Sequence, residues 1–412
     1  MSLLRAAAIA ACFALSACSS RAVRPIEPPS PRAVVLVSID AFRADYLSPA
    51  VTPNLSRLAR EGAHAAWMNP SYPSLTFPNH YTLATGLRPD QHGVIHNRMS
   101  DADLGEFAVA DRNATEDSRW WGGEPIWVTA ERQGVRSASW AWPGSSAAIG
   151  GVLPSLRKRY DETVPPTRRI DDVLGWLDAP PSQRPRFVAV YFEQLDKAGH
   201  DHGPDSAEVR RTLGEIDAVI GRLRDGLAAR GLLESTDLIV VSDHGMAKVG
   251  PGHAIGVEQM IAPSIATVVS DGQSIGVQPL PGREREAEAR LLGAHAQYDC
   301  YRREELPARW HYGTNPRVPP IVCQMHEGWD ALYPQKLAKR PPQATRGSHG
   351  FDPALPSMRA LFVARGPSFV PGAQLPAFDN VDVYPLLTRL LGIEAAPNDG
   401  DIAPLLPALR GH

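Results

Sequence analysis

Apolar and polar positions divide the chain into short, continuous apolar runs and longer stretches with a helical period. Ala33-Val-Val-Leu-Val-Ser-Ile39 is apolar and β-branched almost throughout, the pattern of a strand buried on both faces of a parallel sheet. It stops at Asp40. Phe187 to Phe192 and Leu238 to Ser242 repeat the pattern, and Arg359 to Ala364 reads as a further strand. Val209, Leu213, Ile216, Ile220, Leu223 and Leu227 recur at alternating steps of four and three, which predicts one face of a long helix. A shorter helix opens at Thr52-Pro53 and runs through Arg60, with Pro in its first turn and Gly62 just past its end. Val381 to Leu391 is also helical in pattern. Strands alternating with helices predict an α/β fold with a central, mainly parallel sheet flanked by helices. Ligands of such sheets bind beyond the carboxyl ends of the strands. Asp40, Asp196 and Asp243 stand at or just past three such ends.

Two parts of the chain break this rhythm. Residues 251–345 are less regular and rich in Pro and Arg, and they predict an inserted, cap-like region covering the site. At the start, Arg5 precedes an apolar run from Ala6 to Ala17 that is too short to span a bilayer comfortably, so residues 1–17 read as a cleaved export signal. Leu15-Ser16-Ala17-Cys18 resembles a bacterial lipobox, in which Cys18 becomes the lipidated first residue, and Ser19 after it favours the outer membrane. Residues 18–32, rich in Pro and Arg, read as a flexible tether, and 33–412 as one catalytic domain. The predicted location is therefore the periplasm or cell envelope, with membrane contact through the lipid anchor alone. Cys300 and Cys323 remain outside the signal, and in an oxidising compartment they predict a disulfide.

The bulk numbers narrow the partners. The chain has 412 residues, of which 43% are hydrophobic and 21% charged, enough for a sizeable core. The formal net charge is −3, with no long basic run, so polymeric nucleic acid is not an expected partner. A small anionic substrate is compatible with this charge where a metal supplies positive charge locally.

Asp196 and His200 are four residues apart and can face one another over one helical turn. Asp243-His244 follows a buried strand directly, where two ionisable groups need partners or a metal. His349 lies between Ser348 and Gly350, in a loop suited to close backbone approach. With Asp40 these residues make three Asp and three His, enough for two metal sites with three protein ligands each. Mixed Asp and His ligation suits zinc, with manganese or iron as alternatives. Two neighbouring metals are a known arrangement for displacement at phosphorus. The candidate nucleophile is Thr76, in Tyr72-Pro73-Ser74-Leu75-Thr76-Phe77-Pro78-Asn79-His80, at the N-cap of a helix predicted to run to Ala84. Helix N-termini bind phosphate, and a metal can hold the hydroxyl as an alkoxide.

These segments, in this order, resemble the bacterial type of the nucleotide pyrophosphatase/phosphodiesterase family of the alkaline phosphatase superfamily. The resemblance runs from Val34 to about Gly400. It is strongest at Ser38 to Arg43, Pro73 to Gly86, His92 to Asn97 and Trp120 to Trp127, and is completed by Trp142 to Ser145 and the Asp and His segments above. It implies an alkaline-phosphatase-like fold and two Zn2+ ions. Asp196, His200 and His349 would hold one ion; Asp40, Asp243 and His244 would hold the other, with Thr76 bridging to it. Asn97 would donate its amide to a phosphate oxygen beside the Thr76 backbone N–H, and Phe77 and Tyr160 would sandwich a nucleobase. The implied activity is cleavage of nucleotide phosphodiester or pyrophosphate bonds through a nucleotidyl-threonine intermediate, releasing nucleoside 5′-monophosphates.

Other readings share parts of this pattern. Ordinary alkaline phosphatases employ a Ser nucleophile, and Ser74-Leu-Thr-Phe-Pro does not fit the sulfatase C/S-x-P-x-R motif. A choline-type lipid-headgroup phosphodiesterase of the same fold is not separated from the nucleotide reading by Phe77. An inactive envelope lipoprotein that binds nucleotides is disfavoured by the complete ligand set. The sequence leaves the oligomeric state open.

Overall fold

The computed structural model describes residues 32–411. The export signal, the lipobox with Cys18 and all of the tether except Arg32 lie outside them. In chain order the main-sheet strands are β1 (Ala33–Ile39), β2 (Ala63–Ala65), β3 (Ser137–Trp140), β4 (Leu156–Lys158), β5 (Phe187–Phe192), β6 (Thr236–Val241), β7 (Phe362–Arg365) and β8 (Ala373–Leu375). Across the sheet the order is β8-β2-β7-β6-β1-β5-β3-β4. The expected mainly parallel α/β sheet is present, with β7 as its antiparallel member, pairing against both β6 and β2. The strand expected from Arg359 begins only at Phe362. Ala360 instead bridges to Met68 and Arg43, outside the main ladder.

β1 lies at the centre because nothing in it demands water. Its residues alternate between two hydrophobic cores. Val34 and Leu36 enter one, and Val35, Val37 and Ile39 enter the other, all essentially unexposed. Each aliphatic side chain so buried contributes about 1.5–3 kcal/mol relative to exposure. Helices cover both faces: α1 (Pro53–Glu61), α2 (Thr76–Thr85), α3 (Pro166–Leu177), α4 (Gln194–His202), α5 (Ala207–Ala229) and α6 (Val383–Leu391). The periodic face predicted for α5 buries Val209, Leu213, Ile216, Ile220, Leu223 and Leu227 in the second core. α6 closes the first core with Leu386, Leu387 and Leu391.

Register places the chemistry. Ser38 pairs with Tyr191 on one side and with Val241 on the other. β1, β5 and β6 therefore end level, and the residues that follow them meet at one sheet edge.

The region expected to be irregular carries a sheet of its own. Ala266–Val268, Ser274–Pro279, Ile321–Met325, Tyr298–Arg302 and Gly293–Ala294 form five antiparallel strands in that spatial order. Short strands broken by Pro and Gly give no sustained period, which hid them in the sequence. Cys300 and Cys323 are direct cross-strand partners there and are joined by a disulfide. A two-stranded ribbon, Ala247–Val249 against Arg346–Ser348, closes the excursion at its base. The region packs behind the site, with the Tyr72 ring stacked on Trp310 at 4.0 Å and the Tyr72 hydroxyl 3.1 Å from Ser274 Oγ. No residue of 251–345 lines the main pocket, so this insert buttresses the site and does not roof it.

Candidate active site

Six side chains converge at the level ends of β1, β5 and β6. Asp40 follows β1, and Asp243 and His244 follow β6. β5 leads into α4, where Asp196 and His200 share one face a turn apart. His349 comes from more than a hundred residues further on, but the ribbon at the base of the insert returns it to stack on His244, with ring centroids 3.7 Å apart.

Distances divide the cluster into two overlapping seats. His200 Nε2 and His349 Nε2 lie 3.4 and 3.3 Å from Asp196 Oδ1, and 3.0 Å from each other. His244 Nε2 lies 2.9 Å from Asp243 Oδ2 and 3.6 Å from Asp40 Oδ1. Each ring is fixed through its other nitrogen. His200 Nδ1–H donates to the Gly347 carbonyl at 2.9 Å, His349 Nδ1–H to Ser74 at 3.0 Å, and His244 Nδ1–H to Gly245 at 2.9 Å. Every Nε2 then faces the cluster, the arrangement that a backbone carbonyl bonded to the other ring nitrogen gives metal-binding imidazoles. Asp40 Oδ1, Asp196 Oδ1 and Asp243 Oδ2 are buried without a hydrogen-bond partner. Orphaned carboxylate oxygens around lone-pair nitrogens are the donor set of a buried divalent cation.

The titration behaviour reflects the same crowding: burial would lower His244, but Asp243 and Asp196 outweigh it and raise that imidazole above its ordinary value. Burial, then Asp243 and Asp196, push the Asp40 carboxyl well up, and burial raises Asp196. Burial would raise Asp243 too, but His244 and then His80 outweigh it and hold that carboxyl well below its ordinary value. Burial, then His244 and His200, drive His349 far down. Positive charge placed among these groups relieves Asp40 and Asp196, the two carboxyls that burial pushes up.

Among the described residues, three groupings of side chains are close enough to hold an ion. One is Asp196, His200 and His349, the same three residues the sequence placed together. The others are Asp40 with Asp196 and His244, and Asp40 with His80 and Asp243. His80 thus stands beside Asp40 and Asp243 where His244 alone was expected. Both of its nitrogens are engaged: Nδ1–H donates to the Thr76 carbonyl at 2.9 Å, and Nε2 accepts from Ser38 Oγ at 2.8 Å. His80 thus holds the start of α2, with its Nδ1 3.3 Å from Asp243 Oδ2, so that its ring packs against this carboxylate. Tyr191 braces Asp40, its hydroxyl donating to Oδ2 at 2.6 Å. Neither residue stood out in the sequence. A Tyr and a Ser beside the last residues of adjacent buried strands were the available signal.

The backbone bends sharply here. Ala41, directly after Asp40, has φ +59°, and Ala141 on the pocket wall has φ +58°. Such conformations cost about 1 kcal/mol or more and persist where the surroundings over-determine them. At Ala41 the bend aims the backbone N–H at Asp243 Oδ1, 3.2 Å away.

Thr76 is the first residue of α2, and the N-cap is Leu75, one position earlier than expected. Freed from capping, the Thr76 hydroxyl turns to the cluster, 3.4 Å from His244 Nε2. Asn97 covers the helix start instead, its Oδ1 accepting the Phe77 N–H at 3.0 Å, which leaves its Nδ2 donors uncommitted. A cavity of about 580 Å³ opens above, lined by Asp40, Thr76, Asn97 and Asp196 with Phe77 and Tyr160 among its walls. Phe77 is half-buried against Phe107 and Trp121, whereas Tyr160 is 47% exposed. Asp243 and His244 lie beneath the floor, fully buried. The volume and the mix of aromatic walls with convergent polar groups suit a small molecule.

A family model described as type I phosphodiesterase / nucleotide pyrophosphatase matches residues 34–352. An uncharacterized pyrophosphatase/phosphodiesterase of Schizosaccharomyces pombe is 35% identical over 396 residues, 92% of this chain and 81% of its own. The ectonucleotide pyrophosphatase/phosphodiesterase family member 3 of Mus musculus is 37% identical over 382 residues, 89% of this chain but 43% of its own. The chain thus spans less than half the length of that mammalian relative. Among solved structures, murine ectonucleotide pyrophosphatase/phosphodiesterase 5, as an inactive Thr-to-Ala variant in complex with AMP, superimposes with a TM-score of 0.86 at 32% identity, covering 92% of this chain and all of its own.

Proposed function

The chain belongs to the type I phosphodiesterase / nucleotide pyrophosphatase family of the alkaline phosphatase superfamily, and from that premise we propose that it is a two-zinc hydrolase cleaving nucleotide phosphodiester or pyrophosphate bonds. The observation that carries the reading is the Thr76 hydroxyl, released from capping and aimed at His244 within a cluster of orphaned carboxylates and imidazole nitrogens. Asp196, His200 and His349 hold one zinc in this reading; Asp40, Asp243 and His244 hold the other. When bound, two divalent cations supply the positive charge that keeps the Thr76 oxygen deprotonated and offsets charge on the departing oxygen. Three carboxylates and one alkoxide carry four negative charges, which two divalent cations balance.

Thr76 Oγ attacks phosphorus in line and the bond to the leaving group breaks, giving a nucleotidyl-threonine. Asn97 Nδ2 and the backbone N–H of Thr76 donate to a non-bridging oxygen as charge develops there. Phe77 and Tyr160 hold the base by stacking, worth about 1–3 kcal/mol per base. Water then cleaves the phosphorus–Thr76 bond, releasing a nucleoside 5′-monophosphate and restoring the hydroxyl. AMP, bound by the murine neighbour, is a product of that class.

The test is p-nitrophenol release from the p-nitrophenyl ester of thymidine 5′-monophosphate. Activity lost on chelation, restored by zinc and abolished by Thr76→Ala supports the reading. Full turnover by the Ala variant overturns the nucleophile, and faster hydrolysis of glycerophosphocholine than of any nucleotide overturns the substrate class. From Leu15-Ser16-Ala17-Cys18 we further propose a cell-envelope protein lipidated at Cys18, which metabolic palmitate labelling lost in Cys18→Ala would support and unchanged labelling would overturn.

A further inference from the structure

Arg169, in α3, is a buried charge that the proposed chemistry does not use. Its side chain has no solvent exposure, and all five of its N–H donors are engaged. Nε donates to the Val164 carbonyl at 3.1 Å. Nη1 donates to the Tyr191 carbonyl at 2.9 Å and to Glu193 Oε2 at 2.5 Å. Nη2 donates to the Asp161 carbonyl at 3.3 Å and to Glu193 Oε1 at 2.7 Å. The guanidinium also lies 4.6 Å from the Trp140 ring centroid. Burying a charge is costly unless it is paired and fully hydrogen-bonded, so this position is specified closely.

The acceptors fall into two sets. Asp161 and Val164 belong to the loop that directly follows Tyr160 on the pocket wall. Tyr191 and Glu193 end β5 and cap α4, the helix that carries Asp196 and His200. Among the described residues, Arg169 therefore joins the loop after Tyr160 to the helix of the metal cluster through one rigid planar group. We infer that Arg169 is a positioning residue that fixes the distance between the base-stacking wall and the metal-held phosphate. The inference rests on the nucleotide reading above and deepens it: selectivity for a nucleoside substituent depends on a residue that never touches substrate. Lysine cannot substitute, because a point ammonium has neither the planar fork nor the donors to reach both sets.

The test compares kcat/KM for the p-nitrophenyl ester of thymidine 5′-monophosphate with that for p-nitrophenyl methyl phosphate, which has the same leaving group and no nucleoside. In Arg169→Lys this ratio is expected to fall about tenfold, because loss of base stacking, which only the nucleoside substrate enjoys, carries a loss of that order. In a Tyr160→Ala background the Lys substitution is expected to lower the ratio no further. An unchanged ratio in Arg169→Lys, or losses that multiply in the double variant, overturns the inference. Should Arg169→Lys fail to accumulate folded, Glu193→Gln removes the partner charge while keeping its shape, and the same fall or its absence decides. A wild-type ratio near one would sink the nucleotide reading and the positioning role of Arg169 together, whereas a wild-type preference surviving in Arg169→Lys sinks the positioning role alone.

Discussion

Tyr191→Phe removes a single oxygen from the floor of the site. That oxygen donates to Asp40 Oδ2 at 2.6 Å, within the short range of charge-assisted O–H···O bonds. Both partners are largely buried at the cavity floor, so the bond is little shared with bulk water. The ring remains, and with it the edge-on contact with His80 at 4.9 Å, so no cavity opens. A hydrogen bond to a charged group is worth about 1.5–3 kcal/mol. At about 1.4 kcal/mol per factor of ten, the seat containing Asp40 should lose about 10- to 100-fold in zinc affinity. The direction follows from the proton. Burial, Asp243 and Asp196 already push Asp40 up, and the Tyr191 hydroxyl opposes them. Without it Asp40 holds its proton more tightly, the metal must displace that proton, and the loss deepens as pH falls. The assay is competition for zinc between the apo-protein and a chromophoric chelator, at two pH values. The seat of Asp196, His200 and His349 serves as internal reference, because Tyr191 donates to none of those residues. Two unchanged affinities, or weakening confined to the reference seat, would refute the assignment of Asp40 and its support.

Three further outcomes are expected. His80→Asn keeps a donor near the Nδ1 position and should retain zinc and most activity, whereas His80→Leu should lose about tenfold or more in either, as when a residue supporting a metal ligand is removed; equal behaviour of the two variants would refute the supporting role of His80. Burial pushes His92 down to about 3 and His96 to about 4, so both fold as neutral imidazoles. Their stabilising effect is whole above the unfolded value near 6.5 and is lost as pH falls below it, at about 1.4 kcal/mol per unit each; a denaturant titration at pH 7.5 and 5.5 should show the decline, and His92→Gln should flatten it. Replacing both Cys300 and Cys323 with Ser opens a link between residues 23 apart and should cost about 3 kcal/mol, lowering thermal stability while leaving kcat unchanged; a large fall in kcat in the folded variant would contradict the placement of that sheet outside the pocket.

The strands ending at Asp40 and Asp243 were legible because strands buried on both faces are largely apolar, their few polar side chains finding partners inside, as Ser38 does in His80 and Asp237 in Ser368. The α5 face was legible for the same reason at helical spacing. The sheet within 251–345 was not, since its strands are too short to establish a period. The N-cap expected at Thr76 falls at Leu75, and the Thr76 hydroxyl faces the cluster while Asn97 takes the Phe77 N–H at the helix start.

Hydrophobic patterning thus dictated the sheet, its flanking helices and the edge at which carboxylates had to emerge, because burial acts residue by residue along the chain. Which imidazole faces which carboxylate was decided only by folding. His349 reaches His244 through a ribbon closing an excursion of about a hundred residues, and Tyr191, His80 and Arg169 acquire their roles from neighbours distant in sequence. Orientation of that kind depends on hydrogen bonds between separate elements, and no local spacing encodes it.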